Sequence, residues 1–385
     1  MKTAIYLDYN ATTPCCPEAA LAMQSCLSGN FGNPSSAHSH GQLARRALDK
    51  ARQQLAELLG ALPEEIVFTA SGTEADNLAL AGFAAKASQQ FSRKIHLITS
   101  SVEHNAILSA CKALEGRGVE ITRLPVDAQG RVDPSSLLSA IKPETALVSI
   151  MLANNETGAI QPISEIAKIL KERGITFHTD AVQALGRLPL SVAELGVDML
   201  SISAHKVYAP KGAGAVWVRR GVRLEPIVYG GGQERGLRAG TENVPGIVAF
   251  GEASALAFRR IKETAAHEAE MRKRLENGII ERIPEIRVNG DSVPRLPNTL
   301  NLSFLGIEAD ALLARLDMAG VSVSTGSACS SGAASASHVL KAMGLPAERA
   351  YSALRFSVGR YSTAEEIDAA LSILVRIVGE MRAGR

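Results

Sequence analysis

The sequence predicts an α/β fold, a large domain built on a mostly parallel sheet between helices and joined to a smaller α+β domain. Three observations lead there. Between about residues 65 and 220, short β-like runs alternate with helical patterns, the mark of strand–helix layering. Those runs are rich in consecutive Val and Ile, as in strands buried on both faces. Past a long helical pattern at about 253–282, strands and helices continue in a different mixture.

Taken in order, "EIVFTA" (65–70), "KIHLITS" (94–100), "TALVSIML" (145–152), "ITFHTD" (175–180), "DMLSIS" (198–203) and "GAVWVR" (214–219) read as the strands of the sheet. Helical stretches at 43–59, 74–87, 104–116 and 163–173 lie before or between them. In the second segment, "EIRVNG", "NTLNLSF", "GVSVS" and "LRFSVG" read as strands. The last helix opens on a capping box, Thr363 with Glu366, and carries apolar positions at Ile367, Leu371, Leu374 and Val378.

Lys plus Arg is 41 and Asp plus Glu is 39, a formal charge of +2. That balance argues against nucleic acid or an anionic membrane as the main partner. No apolar run approaches the length of a transmembrane helix. Asp8 falls where a secretory signal would need its apolar stretch, and a cytoplasmic protein is expected. The five cysteines (Cys15, Cys16, Cys26, Cys111, Cys329) are an odd set with no CxxC pair, which speaks against a disulfide framework and a structural zinc site. His38 and His40 lack a carboxylate or cysteine cluster and read as polar loop residues.

In open α/β sheets, ligands bind beyond the carboxyl ends of the strands. Several polar residues fall there. In "FTASGTEADN" a strand ends, Ser71-Gly72-Thr73 turns, and a helix begins, either as an ordinary cap or as an anion cradle. His104 in "TSSVEHNAIL" follows the next strand, as a packed histidine, a ring to stack on a cofactor, or a proton shuttle. Asn154, Asn155 and Glu156 in "MLANNETGAIQPI" are turn formers or ligand contacts. Asp180 and Gln183 emerge from "FHTDAVQALG", where a carboxylate needs a cationic partner such as a protonated pyridine nitrogen. Lys206 in "SISAHKVYAP" is either a solvated lysine or an amine held in a cleft for a Schiff base.

Individually each of these has a bland alternative. Together, at one edge of one sheet, they fit pyridoxal 5′-phosphate, with the phosphate at Gly72, Thr73, Ser203 and His205, the ring nitrogen at Asp180 and the aldehyde on Lys206. "YGGGQERGLRAGTENV" (229–244) has no Walker or dinucleotide pattern, and its Thr241 is a candidate phosphate contact. Cys329 stands in "STGSACSSG", a stretch of small residues. It reads either as a flexible linker that contains a thiol or as a mobile nucleophile.

The chain resembles the NifS/IscS cysteine desulfurases, class V, fold-type I pyridoxal phosphate enzymes. The resemblance runs in order through "YLDYNATTP", "FGNPSSAHSHG", "SGTEADN", "EHNA", "NNETGAIQPI", "HTDAVQALG", "SAHKVYAPKG", "GGGQERGLRAGTEN", "STGSACSSG" and "LRFSVGRYST". It implies a seven-stranded sheet, a large domain at 15–256, and a small domain at 257–385 that includes segment 1–14 and carries the cysteine loop 324–337. It also implies roles. Lys206 binds the cofactor and moves protons, and His104 stacks on the ring. Asp180 holds the ring nitrogen and Gln183 the phenolic oxygen, while Asn155 touches ring or substrate. Gly72, Thr73, Ser203 and His205 bind the phosphate, with Thr241 arriving from the other subunit of a homodimer. Arg355 clamps the substrate carboxylate bidentately, with Asn33 beside it. Cys329 attacks the sulfur of L-cysteine, becomes a persulfide and passes sulfur to an iron–sulfur scaffold or thiolation protein, while L-alanine is released. No resident metal is implied, only transient contact of Cys329 with an iron–sulfur cluster.

Two departures from the family bear on the acceptor. Where the family often has Glu-Pro before Ser-His, this chain has "GAASASHVL", with Ala336 and no proline. It also ends at Arg385, soon after its last helix, where IscS-type members carry a further tail. A NifS-like or more specialised sulfur donor is therefore expected. Selenocysteine lyase and class V aminotransferase are rival activities, and a catalytically silent scaffold or regulator is the rival outside enzymes.

Overall fold

The structure is a computed structural model that describes residues 4–90, 94–325 and 336–384. The chain enters through β1 (Ile5–Tyr6) and then lays down β2 (Ile66–Thr69), β3 (His96–Ser100), β4 (Glu120–Leu124), β5 (Thr145–Ser149), β6 (Thr176–Asp180), β7 (Met199–Ser203) and β8 (Gly214–Val218). These last seven form one sheet in the order β2-β8-β7-β6-β5-β3-β4. Only β8 runs against its neighbours; the remaining pairings are parallel.

The consecutive apolar residues of each strand separate onto two faces because side chains alternate across a sheet. Val67, Leu97, Leu147, Met199 and Val216 pack with Leu78, Ile107 and Cys111. Phe68, Ile98, Val148, Phe177, Leu200 and Trp217 pack on the opposite face with Leu48, Leu55, Ile166 and Phe250. Helix layers on both faces leave the strand ends as the place where polar side chains can emerge.

The strands expected from apolar runs are present, and the sheet has one more. Strand β4 escaped sequence reading because "EITRL" is an edge strand, paired with β3 alone and half-exposed along its length. It therefore carries no apolar run. Several helices start earlier than their periodicity suggests. The helix Ser39–Leu59 begins at a cap made by His38, whose ring accepts from the Gly41 N–H at 3.3 Å. The long helix is Val244–Arg282, capped by Asn243.

That helix serves two cores. Its start packs with the sheet through Val244, Ile247 and Phe250. Its end packs through Met271, Leu275 and Ile279 with a second cluster that contains Leu300, Leu302, Phe356, Leu371 and Leu374. The second cluster is built on β9 (Ile286–Val288), β10 (Thr299–Phe304) and β12 (Ala353–Ser357), paired in the order β12-β10-β9, with β11 (Val321–Ser322) beside β1. Leu7 belongs to this cluster. The N-terminal segment thus crosses from the small core to the strand ends of the large sheet. The final helix, Ala364–Ala383, opens on the expected capping box between Thr363 and Glu366.

Candidate active site

A cavity of about 240 Å³ opens at the carboxyl edge of the sheet. Gly72, Thr73, His104, Asn155, Asp180, Gln183, Ser203, His205 and Lys206 all line it. They arrive from five chain segments because parallel strands end at one edge.

The strand β2 feeds the turn at Ser71, whose Oγ accepts from the Glu74 N–H at 3.1 Å. Glu74 returns its own bond to the Ala70 N–H (2.9 Å) and pairs with Arg238 (2.8 Å), tying the glycine-rich segment to this helix start. A Cβ at Gly72 would stand 2.9 Å from Val182 Cγ2 and 3.2 Å from Ser203 Cβ. Only glycine lets the backbone come this close.

Strand β6 ends on Asp180, buried, with Oδ1 accepting from the Val182 N–H at 2.9 Å. Burial raises its pKa, while His104 and Lys206 pull it back down. His104 caps the helix Asn105–Glu115, its Nδ1 accepting from the Ala106 N–H at 3.1 Å. Burial lowers the His104 pKa, against the pull of Asp180. His205, bonded to Thr12 Oγ1 at 3.1 Å, is pushed down to about 4 by burial and by the nearby lysines. It is neutral at pH 7.

Lys206 sits in the short turn after β7. Its Nζ donates to the carbonyls of Asn10 and Ala11, the latter at 2.8 Å. Neither acceptor is a carboxylate. Burial, then Arg355 and Arg187, push its pKa down to about 7, with Asp8 and Asp180 opposing. About half the amine is therefore an uncharged nucleophile near neutral pH.

Among the described residues, three buried oxygens lining this cavity, Ser203 Oγ, Gln183 Oε1 and Asp76 Oδ1, have no hydrogen-bond partner. Buried polar atoms are rarely left so. A carbonyl-capturing amine, an acid beside an imidazole, a close-packed glycine turn and unsatisfied polar atoms suit a phosphorylated pyridine aldehyde. By this geometry the residues fit pyridoxal phosphate.

Three site candidates lie outside the cavity of a single chain. Thr241 is exposed, next to Gly240 at φ +99°. Asn33 is on an exposed loop, its Oδ1 accepting from the Ser35 N–H at 2.9 Å. Arg355 is buried in β12, with Nη1 on the Asn155 carbonyl (3.0 Å) and Nη2 on Asp8 Oδ1 (2.7 Å). Cys329 lies outside the described residues. On one side of them Ser324 pairs its backbone with Arg355, and on the other Ser337 donates to Glu156 at 2.5 Å. Of the remaining cysteines, Cys16, Cys26 and Cys111 are buried free thiols, Cys111 pushed up to about 12 by burial, and Cys15 is exposed.

The family model for class-V aminotransferases matches residues 5–370. The chain belongs to the class-V aminotransferase family. Within it, the chain is 47% identical to the cysteine desulfurase IscS of Dictyoglomus turgidum, over 99% of this chain and 96% of that protein. It is 49% identical to a cysteine desulfurase of Trichormus azollae, over 99% of this chain and 94% of that one. Among solved structures, a NifS-like protein superposes with a TM-score of 0.92 at 38% identity, covering 98% of this chain and all of its own. Class-V enzymes of this kind depend on pyridoxal phosphate, in agreement with the cavity.

Sequence reasoning missed the residue that ties this class-V site together. Asn10, almost fully buried, accepts from Lys206 and from Gln183 Nε2 (3.0 Å) through its carbonyl. Its side chain donates to the Asn155 carbonyl and Thr299 Oγ1 and accepts from Asn298. An asparagine in "DYNATTP" carries no local signal of this, because its side-chain partners stand 145 to 289 residues away. Asp76, buried in the cavity wall with Oδ1 3.8 Å from His178 Nε2, was also missed.

Proposed function

We propose that this chain is a pyridoxal 5′-phosphate-dependent cysteine desulfurase that takes sulfur from L-cysteine, releases L-alanine and hands the sulfur on through Cys329. The observation that carries the reading is Lys206, an amine pushed down to about 7, sharing one buried cavity with Asp180 and His104. The class-V membership and the relatives named cysteine desulfurase support it.

Bound in this cavity, pyridoxal phosphate supplies a carbonyl for amine capture and a ring that withdraws electrons from the substrate Cα. The chain does the rest. Asp180 stands as the acid partner of the ring nitrogen, and burial makes it a strong acceptor only when that nitrogen is protonated. The Gly72 and Thr73 backbone with Ser203 and His205 hold the phosphate. His205, neutral, contributes a hydrogen bond rather than a charge. Thr241 of a second copy completes the phosphate site in a homodimer. His104 covers the ring, and Gln183, fixed on the Asn10 carbonyl, faces the phenolic oxygen. Lys206 would act as a neutral base that takes the Cα proton and returns one to the product. Arg355, held by the Asn155 carbonyl, anchors the substrate carboxylate, with Asn33 as a further contact. The Cys329 thiolate attacks Sγ: an S–S bond forms, the Cβ–S bond breaks, and its electron pair is protonated to leave alanine.

The proposed division at 256/257 falls in the helix Val244–Arg282, which leaves the large core after Ala257 and enters the small core at Met271, while the proposed small-domain segment 1–14 touches both, through Tyr9 and Leu7. The acceptor is a protein such as an iron–sulfur scaffold or a thiolation protein, and the site of action is the cytoplasm. Among the described residues no helix is long and apolar enough to cross a membrane. The test is L-alanine release from L-cysteine with pyridoxal phosphate and a thiol reductant. Equal sulfide and alanine support the reading; no alanine from cofactor-loaded protein refutes it.

A further inference from the structure

Asp8 belongs to none of the roles above, yet it stands on the guanidinium proposed to receive the substrate. Its Oδ1 is 2.7 Å from Arg355 Nη2, in a pair whose side chains are 18% and 5% exposed. The partners are not flexible arms meeting by chance. Asp8 forms a parallel bridge to Ser357, two residues along the strand from Arg355, and its carbonyl accepts from Tyr6 Oη at 2.9 Å. Arg355 is fixed on its other arm by the Asn155 carbonyl. Its Nε is buried with no hydrogen-bond partner among the described residues. One edge of the guanidinium is thus neutralised in advance, while another waits for an acceptor.

An incoming carboxylate therefore meets a cation that already has a counter-ion in a poorly solvated place. There, charge-assisted bonds are strong, and competition between carboxylates counts. We infer that Asp8 is a positioning residue that sets the affinity of Arg355 for the amino-acid carboxylate, orienting the guanidinium while holding the product weakly enough to leave. This rests on the reading of Arg355 as the carboxylate anchor.

The test uses the cofactor-loaded enzyme and two probes followed by the absorbance of the bound cofactor. L-Alanine carries the carboxylate; cysteamine carries the amine and thiol without it. Asp8→Asn keeps an acceptor for Arg355 and removes the charge. It is expected to tighten L-alanine on the order of tenfold more than cysteamine, which shares only the effect of Asp8 on the Lys206 amine. KM for L-cysteine and kcat fall together as product lingers. Asp8→Glu retains the charge and stays within about twofold of the parent. Unchanged or weaker L-alanine binding in Asp8→Asn overturns the inference, as does an equal shift for both probes, which would place the effect on the amine site. Arg355→Lys separates the two readings. If it leaves L-alanine binding unchanged in the parent enzyme, the anchor itself is misassigned.

Discussion

Raising the pH of the cofactor-free enzyme from about 6 to about 9 is expected to speed its capture of pyridoxal phosphate roughly tenfold and then to level off. The magnitude follows from Lys206. Held at about 7 by burial and by Arg355 and Arg187, the amine is about one-tenth neutral at pH 6 and almost wholly neutral at pH 9. An ordinary lysine would be neutral in only about one part in three thousand at pH 7, and its rate would climb about tenfold with every unit throughout. The assay is stopped-flow absorbance of the bound cofactor across this range. Nα-acetyl-lysine serves as the reference that corrects for ionisation of the aldehyde itself. A rate that keeps rising tenfold per unit up to pH 9 would refute the claim that this cavity lowers the amine's pKa. The sign is open to a second check. Arg355→Gln removes a cation and moves the midpoint up, while Asp8→Asn removes an opposing anion and moves it down.

Gly72→Ala drives a Cβ to 2.9 Å from Val182 and should weaken pyridoxal phosphate binding by about tenfold or more, measured by equilibrium dialysis. Cys329→Ala should take up cofactor normally yet form no persulfide and release no alanine, read by mass spectrometry and an alanine assay; unchanged turnover would point to an aminotransferase. Glu234 holds Arg52 through two bonds of 2.6 and 2.8 Å and accepts from the Phe68 N–H. Glu234→Ala strands a buried guanidinium and should cost about 3–5 kcal/mol in urea unfolding. Burial lifts Glu103 from 4.5 to about 8, so the folded state keeps a proton that the unfolded chain gives up. That contribution is complete below pH 4.5 and is lost as the pH climbs to 8. Glu103→Gln should flatten this fall in unfolding curves taken across the same window.

Much of the site was legible because its chemistry clusters at strand ends, and strand ends show in local apolar patterns. Gly72, His104, Asp180 and Lys206 each follow such a run, and the parallel sheet brings them to one cavity. The edge strand Glu120–Leu124 was not legible, since exposure on an edge removes the apolar signature. The reciprocal arm of the Ser71–Glu74 cap shows the same limit at small scale. A capping box would give Glu74 a bond from the cap's own N–H, whereas in the structure Glu74 Oε2 accepts from the Ala70 N–H and Oε1 pairs with Arg238.

By itself the sequence determined the fold class, the order of the apolar strands of the sheet, and the residue types delivered to the carboxyl edge. All of these depend on periodicity, capping and motifs within a few residues of each other. Only the tertiary structure decided which groups share charge and burial there. The Asp8–Arg355 pair joins residues 347 apart, Asn10 meets Lys206 across 196, and Asn10 meets Thr299 across 289. The lowered pKa of Lys206 has the same origin. It comes from removal of water and from arginines on two other segments, and a local pattern has no access to desolvation or to a field made by distant parts of the chain.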